Sequence, residues 1–424
     1  MNTHEIDTAL QKLFSLHVFG MKLGLDNIKN FLGFIGNPQE HLKAFHIAGS
    51  NGKGSTASFI ASILMELGYN VGLYTSPHFI KFNERIQINS NFIHDDFVAK
   101  FISDYSDYID EHQLTFFEVT TAMAFKYFYE NKIDYAVIET GLGGRLDATN
   151  VLKPLAVIIT SISLEHTNIL GNTIAQIAGE KAAIIKDKTK VFVGKLNEEA
   201  FNVIEDVCSR TASKLYKIED YIIEKENSVE LYTEEVELDD WNMPLKGNYQ
   251  KYNAALAALV VSKILLIDEP KTISKGIKNV IKNTGLQGRF EYYSKQPDII
   301  FDSAHNPEGI DSFLSEFKKI MGKYNKRILL FGVMKDKSIK IMLSKLKDYF
   351  DEIYVTEINY ERSSKINELE KIAGEINVSV KHVSNHVELI KSFSIQNREN
   401  CLVVLGSMYL LGEIKSSLQM HNIS

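Results

Sequence analysis

Cysteine is nearly missing from this 424-residue chain. Its two cysteines, Cys208 and Cys401, lie far apart and lack metal-ligand spacing, so neither a disulfide framework nor a structural zinc site is supported and the cell interior is implied. Proline is also scarce, at seven residues, and there is no fixed-period repeat or low-complexity tract. Long apolar runs are absent. The best candidate, Ala254 to Ile267, contains Ser262 and Lys263 and is too short to span a bilayer. The start, Met1 to Leu10, carries His4, Glu5 and Asp7 and has no apolar core of a secretory signal. Nor is there an excess of positive charge: 47 Lys and Arg against 54 Asp and Glu give a net charge of −7, which argues against a nucleic-acid partner. Any anionic ligand must then be met by local cations or by metal. Length and a 45% hydrophobic composition point to two or three domains of a cytoplasmic protein with no membrane partner, a monomer by default.

What is present is concentrated in a few motifs. Gly49-Ser50-Asn51-Gly52-Lys53-Gly54-Ser55-Thr56 stands between a short apolar strand, Phe45 to Ala48, and a helix-period run, Thr56 to Leu67. Backbone N–H groups of such a turn, the positive end of the following helix and a lysine ammonium are charge-assisted donors for a polyphosphate. The general P-loop pattern is shortened here, because its first glycine would fall on Ile47. A glycine-rich turn is often only a turn; the strand-loop-helix setting favours the phosphate cradle.

Three further strands end in polar residues. Val71 to Tyr74 runs into Thr75-Ser76-Pro77-His78, Tyr135 to Ile138 into Glu139, and Leu155 to Thr160 into Ser161 and then Glu165-His166. If these are parallel neighbours of Phe45 to Ala48, their carboxyl ends share the rim where open α/β sheets bind ligands. Ser76, Glu139 and His166 would then face the phosphates as ligands of a magnesium ion, the imidazole being the odd member. Singly they read as a turn residue, a solvated strand end and a satisfied histidine.

The stretch from Glu139 to Asn150 is a second dense motif. It fails as a dinucleotide fingerprint, since the third glycine would fall on Leu146. Its Arg145 and Asp147 offer a charge pair that clamps a ligand, or else a surface ion pair on a tight loop.

The expected fold class is α/β: a P-loop NTPase-like, mostly parallel sheet domain with a small antiparallel side sheet from Glu219 to Trp241, plus a C-terminal Rossmann-like α/β domain. Five strands are expected in the latter, near Ile299, Arg327 to Phe331, Glu352 to Val355, Ser379 to Val383 and Cys401 to Leu405. Gly285, Gly288 and Pro297 punctuate the boundary, giving domains 1–288 and 289–424.

Together these residues resemble the folylpolyglutamate synthase and dihydrofolate synthase family within the Mur ligase superfamily. The resemblance rests on Gly49 to Thr56, Tyr74 to His78 with Phe82 to Ile86, Glu139 to Asn150, and Glu165-His166-Thr167 with Leu170-Gly171. It continues through Gly179 to Ala182, Asn253 to Ala255, Gly288 to Phe290 and Asp302 to Pro307, and so covers nearly the whole chain. It implies an ATP-binding central domain, a C-terminal glutamate-ligase domain and ATP lying between them. The implied reaction ligates L-glutamate to dihydropteroate or to a reduced folate through an acyl phosphate, releasing ADP and phosphate.

Site roles follow from the resemblance. Gly52, Lys53, Gly54 and Ser55 would hold the phosphates; Ser76, Glu139 and His166 would ligate magnesium. Lys181 would be carbamylated and help hold a second magnesium, where the residue alone reads as a solvated helical lysine. Asn253 would read the adenine edge, Arg289 and Asp302 would contact the nucleotide, and His305 would face glutamate or the acyl phosphate, or else simply start a helix. Lys53, Lys181 and His305 form the catalytic set. Thr115-Phe116-Phe117-Glu118 and Leu146-Asp147-Ala148 resemble pteridine-binding stretches, with an aromatic pair against the heterocycle and an acid on its amino group. Phe116 and Phe117 serve equally well as core. Gly20 to Ile28 resembles the family's amino-terminal segment, with no atom-level role.

Three rival readings remain. Asn131-Lys132-Ile133-Asp134 fits the guanine-reading motif of a GTP switch, but it precedes its strand instead of following one, and no D-x-x-G element accompanies it. A Mur-type ligase acting on a cell-wall precursor would share fold and chemistry but not the acceptor. An inactive ATP-binding scaffold is disfavoured by the presence of Lys53, Glu139, His166 and Lys181 together. Side chains alone do not decide between dihydropteroate and folylglutamate as acceptor.

Overall fold

A computed structural model describes residues 3–16, 24–225, 229–234, 236–238, 243–393 and 398–421. Gly20 to Leu23 of the amino-terminal segment, and Trp241 at the end of the side-sheet stretch, lie outside the described residues. The chain divides into two units, one of 1–77, 82–244 and 251–285, the other of 78–81, 245–250 and 286–424.

The first unit is built on eight described strands: β1 (Ala44–Ala48), β2 (Val71–Tyr74), β3 (Ile86–Ile88), β4 (Asn91–Phe92), β5 (Tyr135–Glu139), β6 (Ala156–Ile159), β7 (Lys190–Val193) and β8 (Lys214–Lys217). Their order is β4-β3-β2-β5-β1-β6-β7-β8. All pairs from β2 to β8 are parallel, and β3 and β4 extend the β2 edge as an antiparallel pair. Helices cover both faces, so β1, β2 and β6 are buried along their whole length, which is why they read as continuous apolar runs and not as alternating ones. On one face, helices close over Phe31, Phe101, Phe125 and Phe128 at the β2–β5 half of the sheet, and Ile159, Ile177, Val191 and Ile204 form a second core on that same face at the β6–β7 half.

The expected strands β5 and β6 flank β1, β2 lies beyond β5, and all run parallel, so their carboxyl ends do share a rim. A three-stranded antiparallel sheet, β9 (Ile222–Glu224), β10 (Val229–Tyr232) and β11 (Glu237–Leu238), stands where the side sheet was expected.

The second unit holds six described strands: β12 (Glu291–Ser294), β13 (Asp298–Asp302), β14 (Lys326–Phe331), β15 (Glu352–Val355), β16 (Lys381–His382) and β17 (Asn400–Leu405), in the order β12-β13-β17-β14-β15-β16. Five are parallel, as expected. The sixth, β12, pairs antiparallel with β13 at the sheet edge and is only half-buried, so its Glu-Tyr-Tyr-Ser sequence carries no apolar strand signal.

Candidate active site

Gly52 caps the helix Lys53–Glu66 with φ of 85°, a left-handed conformation that glycine adopts without strain. A Cβ there would also meet Asn253 Oδ1 at 2.7 Å, so the loop glycine and the expected adenine reader lie against each other. The helix starts three residues earlier than its apolar periodicity indicates, because Lys53, Gly54 and Ser55 form its first turn. The loop before it is stitched to the segment after β6: Ser50 N–H donates to Ser161 O at 2.8 Å, Asn51 N–H to Ser161 Oγ at 2.9 Å, and Thr160 Oγ1–H to Asn51 O at 2.6 Å.

On the other side of β1, Ser76 N–H donates to Glu139 Oε2 at 3.0 Å. The β2–β5 register sets Tyr74 opposite Ile138, so the residues just past each strand meet. Glu139 is buried, and its carboxylate stands beside Gly54: a Cβ on that glycine would lie 3.5 Å from Glu139 Oε2. A carboxylate thus faces the N-terminal turn of the phosphate helix, where no side chain intervenes.

Lys181 is not the solvated helical lysine its sequence allows. It is 1% exposed, near the end of the helix Ile174–Ala182, and its ammonium donates to Glu165 Oε1 at 2.8 Å and to Gly49 O at 3.0 Å. Lys53 Nζ donates to the same Gly49 carbonyl at 2.8 Å and to Ser50 O at 3.3 Å. Two ammoniums converge on one oxygen, and Glu165 supplies the countercharge. Burial on its own would raise the Glu165 pKa, but the Lys181 and Lys53 charges override it and hold the carboxyl at about 2. Lys181 is pushed below the usual lysine range by burial, against the pull of Glu165. His166 follows Glu165 directly, half-buried, in a left-handed conformation at the start of the short helix Thr167–Leu170.

The Glu139 to Asn150 loop is organised differently from its expected charge pair. Arg145 Nε donates to Glu180 Oε1 at 2.9 Å, while Asp147 bonds to its own loop. Asp147 Oδ2 accepts the N–H groups of Gly141 and Leu142, both at 2.8 Å; Oδ1 accepts Thr149 N–H at 3.0 Å and Thr149 Oγ1–H at 2.6 Å. The carboxylate is a staple for the turn that leaves β5. With the Arg145 side chain 56% exposed, its ion pair contributes little, in the range below about 1 kcal/mol.

Of the two pteridine-type stretches, Thr115 to Glu118 is also a capping box for the helix Phe116–Glu130: Thr115 Oγ1 accepts Glu118 N–H, and Glu118 Oε2 accepts Thr115 N–H at 2.8 Å. Glu118 is buried in that exchange. Phe116 belongs to the core, edge-on to Phe82 with the Arg85 guanidinium 5.1 Å over its ring. Phe117 is only partly buried and lies against Gly141, where a Cβ would approach its ring to 2.4 Å. Leu146 and Ala148 flank the Asp147 staple, Leu146 half-buried and Ala148 buried.

In the second unit, Asp302 at the end of β13 accepts Phe290 N–H at 2.7 Å and Ala304 N–H at 2.8 Å. Burial raises its pKa and the Arg289 charge works against that rise. Arg289 is half-buried. His305 Nδ1 is bonded to Ser303 O at 3.0 Å, and Asn306 caps the helix Pro307–Ile320 by accepting Gly309 N–H at 2.7 Å.

Models of two protein families match this chain: the Mur ligase middle domain over residues 47–261 and the Mur ligase glutamate ligase domain over 288–408. A dihydrofolate synthase/folylpolyglutamate synthase of Bacillus subtilis is 34% identical over 417 residues, 95% of this chain and 96% of that protein. The chain belongs to the Mur ligase family. Within it, the branch is that of the folylpolyglutamate and dihydrofolate synthases, which are ATP-dependent ligases. The crystal structure of a Thermotoga maritima folylpolyglutamate synthase superimposes with a TM-score of 0.84 at 34% identity over 98% of both chains. Escherichia coli FolC in complex with DHPP and ADP superimposes at 0.87 with 28% identity, again over 98% of both chains.

Among the described residues of this ligase, no three His, Cys, Asp or Glu side chains form a metal cluster. Magnesium is ordinarily held by one or two carboxylates and completes its shell with water and phosphate oxygens. Glu139 beside the bare Gly54 turn has the donor chemistry such an ion needs. Glu165 is the residue that sequence reasoning passed over. It sits inside the Glu-His-Thr motif, but its partner Lys181 is 16 residues away, a spacing that carries no signal of contact. The guanine-type motif is structural: Asp134 accepts Asn70 N–H at 2.7 Å, and Asn131 ends the helix Phe116–Glu130.

Proposed function

We propose that this ligase joins L-glutamate to dihydropteroate or to a reduced folate through an acyl phosphate, at the expense of ATP. The observation that carries the reading is the Glu139 carboxylate, held by Ser76 N–H at 3.0 Å, facing the Gly54 turn of the phosphate helix. Related structures contain the matching ligands: DHPP and ADP in Escherichia coli FolC, and Mn, AMPPNP and L-glutamate in the Yersinia pestis bifunctional synthase. Gly52, Lys53, Gly54 and Ser55 bind the β- and γ-phosphates, with Lys53 leaving the Gly49 and Ser50 carbonyls to neutralise them. Asn253, which lies against Gly52, would read the adenine edge. Arg289 and Asp302 serve as nucleotide contacts of the second unit, and His305 faces glutamate or the acyl phosphate. Phe117 would face the pteridine, with Thr115, Phe116 and Glu118 supporting it from the helix start and core, and Leu146, Asp147 and Ala148 supporting it from the adjoining turn.

Ser76, Glu139 and His166 would hold magnesium, which when bound draws charge from the transferring phosphoryl group. The folate carboxylate attacks the γ-phosphorus, ADP leaves, the glutamate amine attacks the acyl carbon, and phosphate departs. The protein's residues act by positioning and by charge. Lys181, an ammonium paired with Glu165 in this structure, would leave that pair, lose its protons and add carbon dioxide, and the resulting carbamate would hold a second magnesium. Lys181→Ala should lose activity and regain part of it with acetate or bicarbonate; unchanged turnover would remove the carbamate. The reading as a whole is tested by ADP release with L-glutamate and either 7,8-dihydropteroate or tetrahydrofolate. Turnover with both marks a bifunctional enzyme, with one assigns the branch, and with neither favours a cell-wall acceptor.

A further inference from the structure

His46, at the centre of β1, is fully buried and has no part in the chemistry above. Its Nε2 lies 2.8 Å from Thr149 Oγ1, and its Nδ1 is buried without a hydrogen-bond partner. The threonine hydroxyl has one proton, which goes to Asp147 Oδ1 at 2.6 Å. Thr149 Oγ1 therefore accepts from His46, which fixes the ring as the Nε2–H tautomer. Burial, reinforced by the Lys186 charge, lowers the His46 pKa to about 3, so the ring stays neutral and remains a donor throughout the working pH range. Asp147 passes the constraint on, its other oxygen accepting Gly141 and Leu142 N–H.

We propose that His46 is a positioning residue for the folate-side substrate: the chain His46–Thr149–Asp147 locks the Gly141–Leu142 turn, and that turn fixes Phe117. Three features support this. Every link is a hydrogen bond between 2.6 and 2.8 Å. Gly141 is in direct contact with the Phe117 ring, so a displaced turn moves the ring. A polar ring with an orphaned nitrogen in the middle of a buried strand is costly, and the Thr149 bond is what it supplies in return. The inference rests on the folate reading for its substrate, and on the structure alone for its mechanics.

The experiment uses the full chain and two variants. His46→Leu removes the donor, and His46→Gln keeps an N–H near the Nε2 position. Hydrogen exchange of the peptide containing Gly141 and Leu142, followed by mass spectrometry without any ligand, should accelerate about tenfold or more in His46→Leu and stay within about twofold in His46→Gln. In ADP-release assays, His46→Leu should raise KM for the pteroate or folate substrate about tenfold while KM for ATP stays within about twofold, and His46→Gln should restore it. Unchanged exchange at 141–142 overturns the relay, even if overall stability falls. Faster exchange with an unchanged folate KM, or with both KM values raised together, overturns the positioning role. A wild-type chain that turns over no folate sinks the folate reading instead, and the exchange comparison still decides the relay.

Discussion

Replacing Lys181 with methionine removes a buried charge while keeping most of its volume. It leaves Glu165, whose side chain is 8% exposed, without the partner 2.8 Å away. Stripping one member from a buried pair typically costs about 3–5 kcal/mol, mostly as the penalty of the stranded charge. The carboxyl, held at about 2 against an ordinary 4.5 by Lys181 and Lys53 together against the cost of burial, gives a figure of the same order, about 3 kcal/mol of folding free energy. Because the folded pKa lies below the unfolded one, that stabilisation is complete above about pH 4.5 and disappears as the pH falls towards 2. Burial of Lys181 opposes it, so a double-mutant cycle reads the coupling and not the pair's net worth. Urea unfolding of the full chain at pH 7, followed by circular dichroism, should show Lys181→Met losing roughly 3 kcal/mol or more. Adding Glu165→Gln should restore at least about 1.5 kcal/mol, and the difference between wild type and Lys181→Met should shrink at pH 3. Additive losses within about 0.5 kcal/mol would refute the coupled pair.

Glu139→Gln keeps a group that accepts Ser76 N–H but removes the charge; the magnesium concentration for half-maximal rate should rise about tenfold or more with little change in thermal stability, as read by magnesium titration of ADP release. Gly141→Ala places a methyl 2.4 Å from the Phe117 ring; KM for the folate substrate should rise several-fold while KM for ATP does not, and equal changes in both would contradict the loop assignment.

The parts of the fold most legible in the sequence were those governed by burial. A parallel strand covered on both faces must be apolar throughout, so β1, β2, β5 and β6 stand out, and the polar residues that end them fall on one rim by topology alone. The half-exposed β12 has no such signature. Side-chain pairing was harder to read because it joins distant residues: Arg145 to Glu180, 35 positions apart, and His46 to Thr149, 103 apart. Nearest charge was a poor guide. Asp147 lies two residues from Arg145 yet spends its oxygens on the turn's own donors, which a buried loop requires to be paired. Thr115 to Glu118 carried a second meaning in plain view, since a threonine followed three residues later by glutamate before an apolar run is a helix-start signature.

The claim that the folate carboxylate is activated by phosphorylation is tested most directly with substrate labelled by 18O in that carboxylate, incubated with ATP, magnesium and L-glutamate. Inorganic phosphate carrying one 18O for each amide formed is the predicted result. Amide formation with unlabelled phosphate would contradict the account.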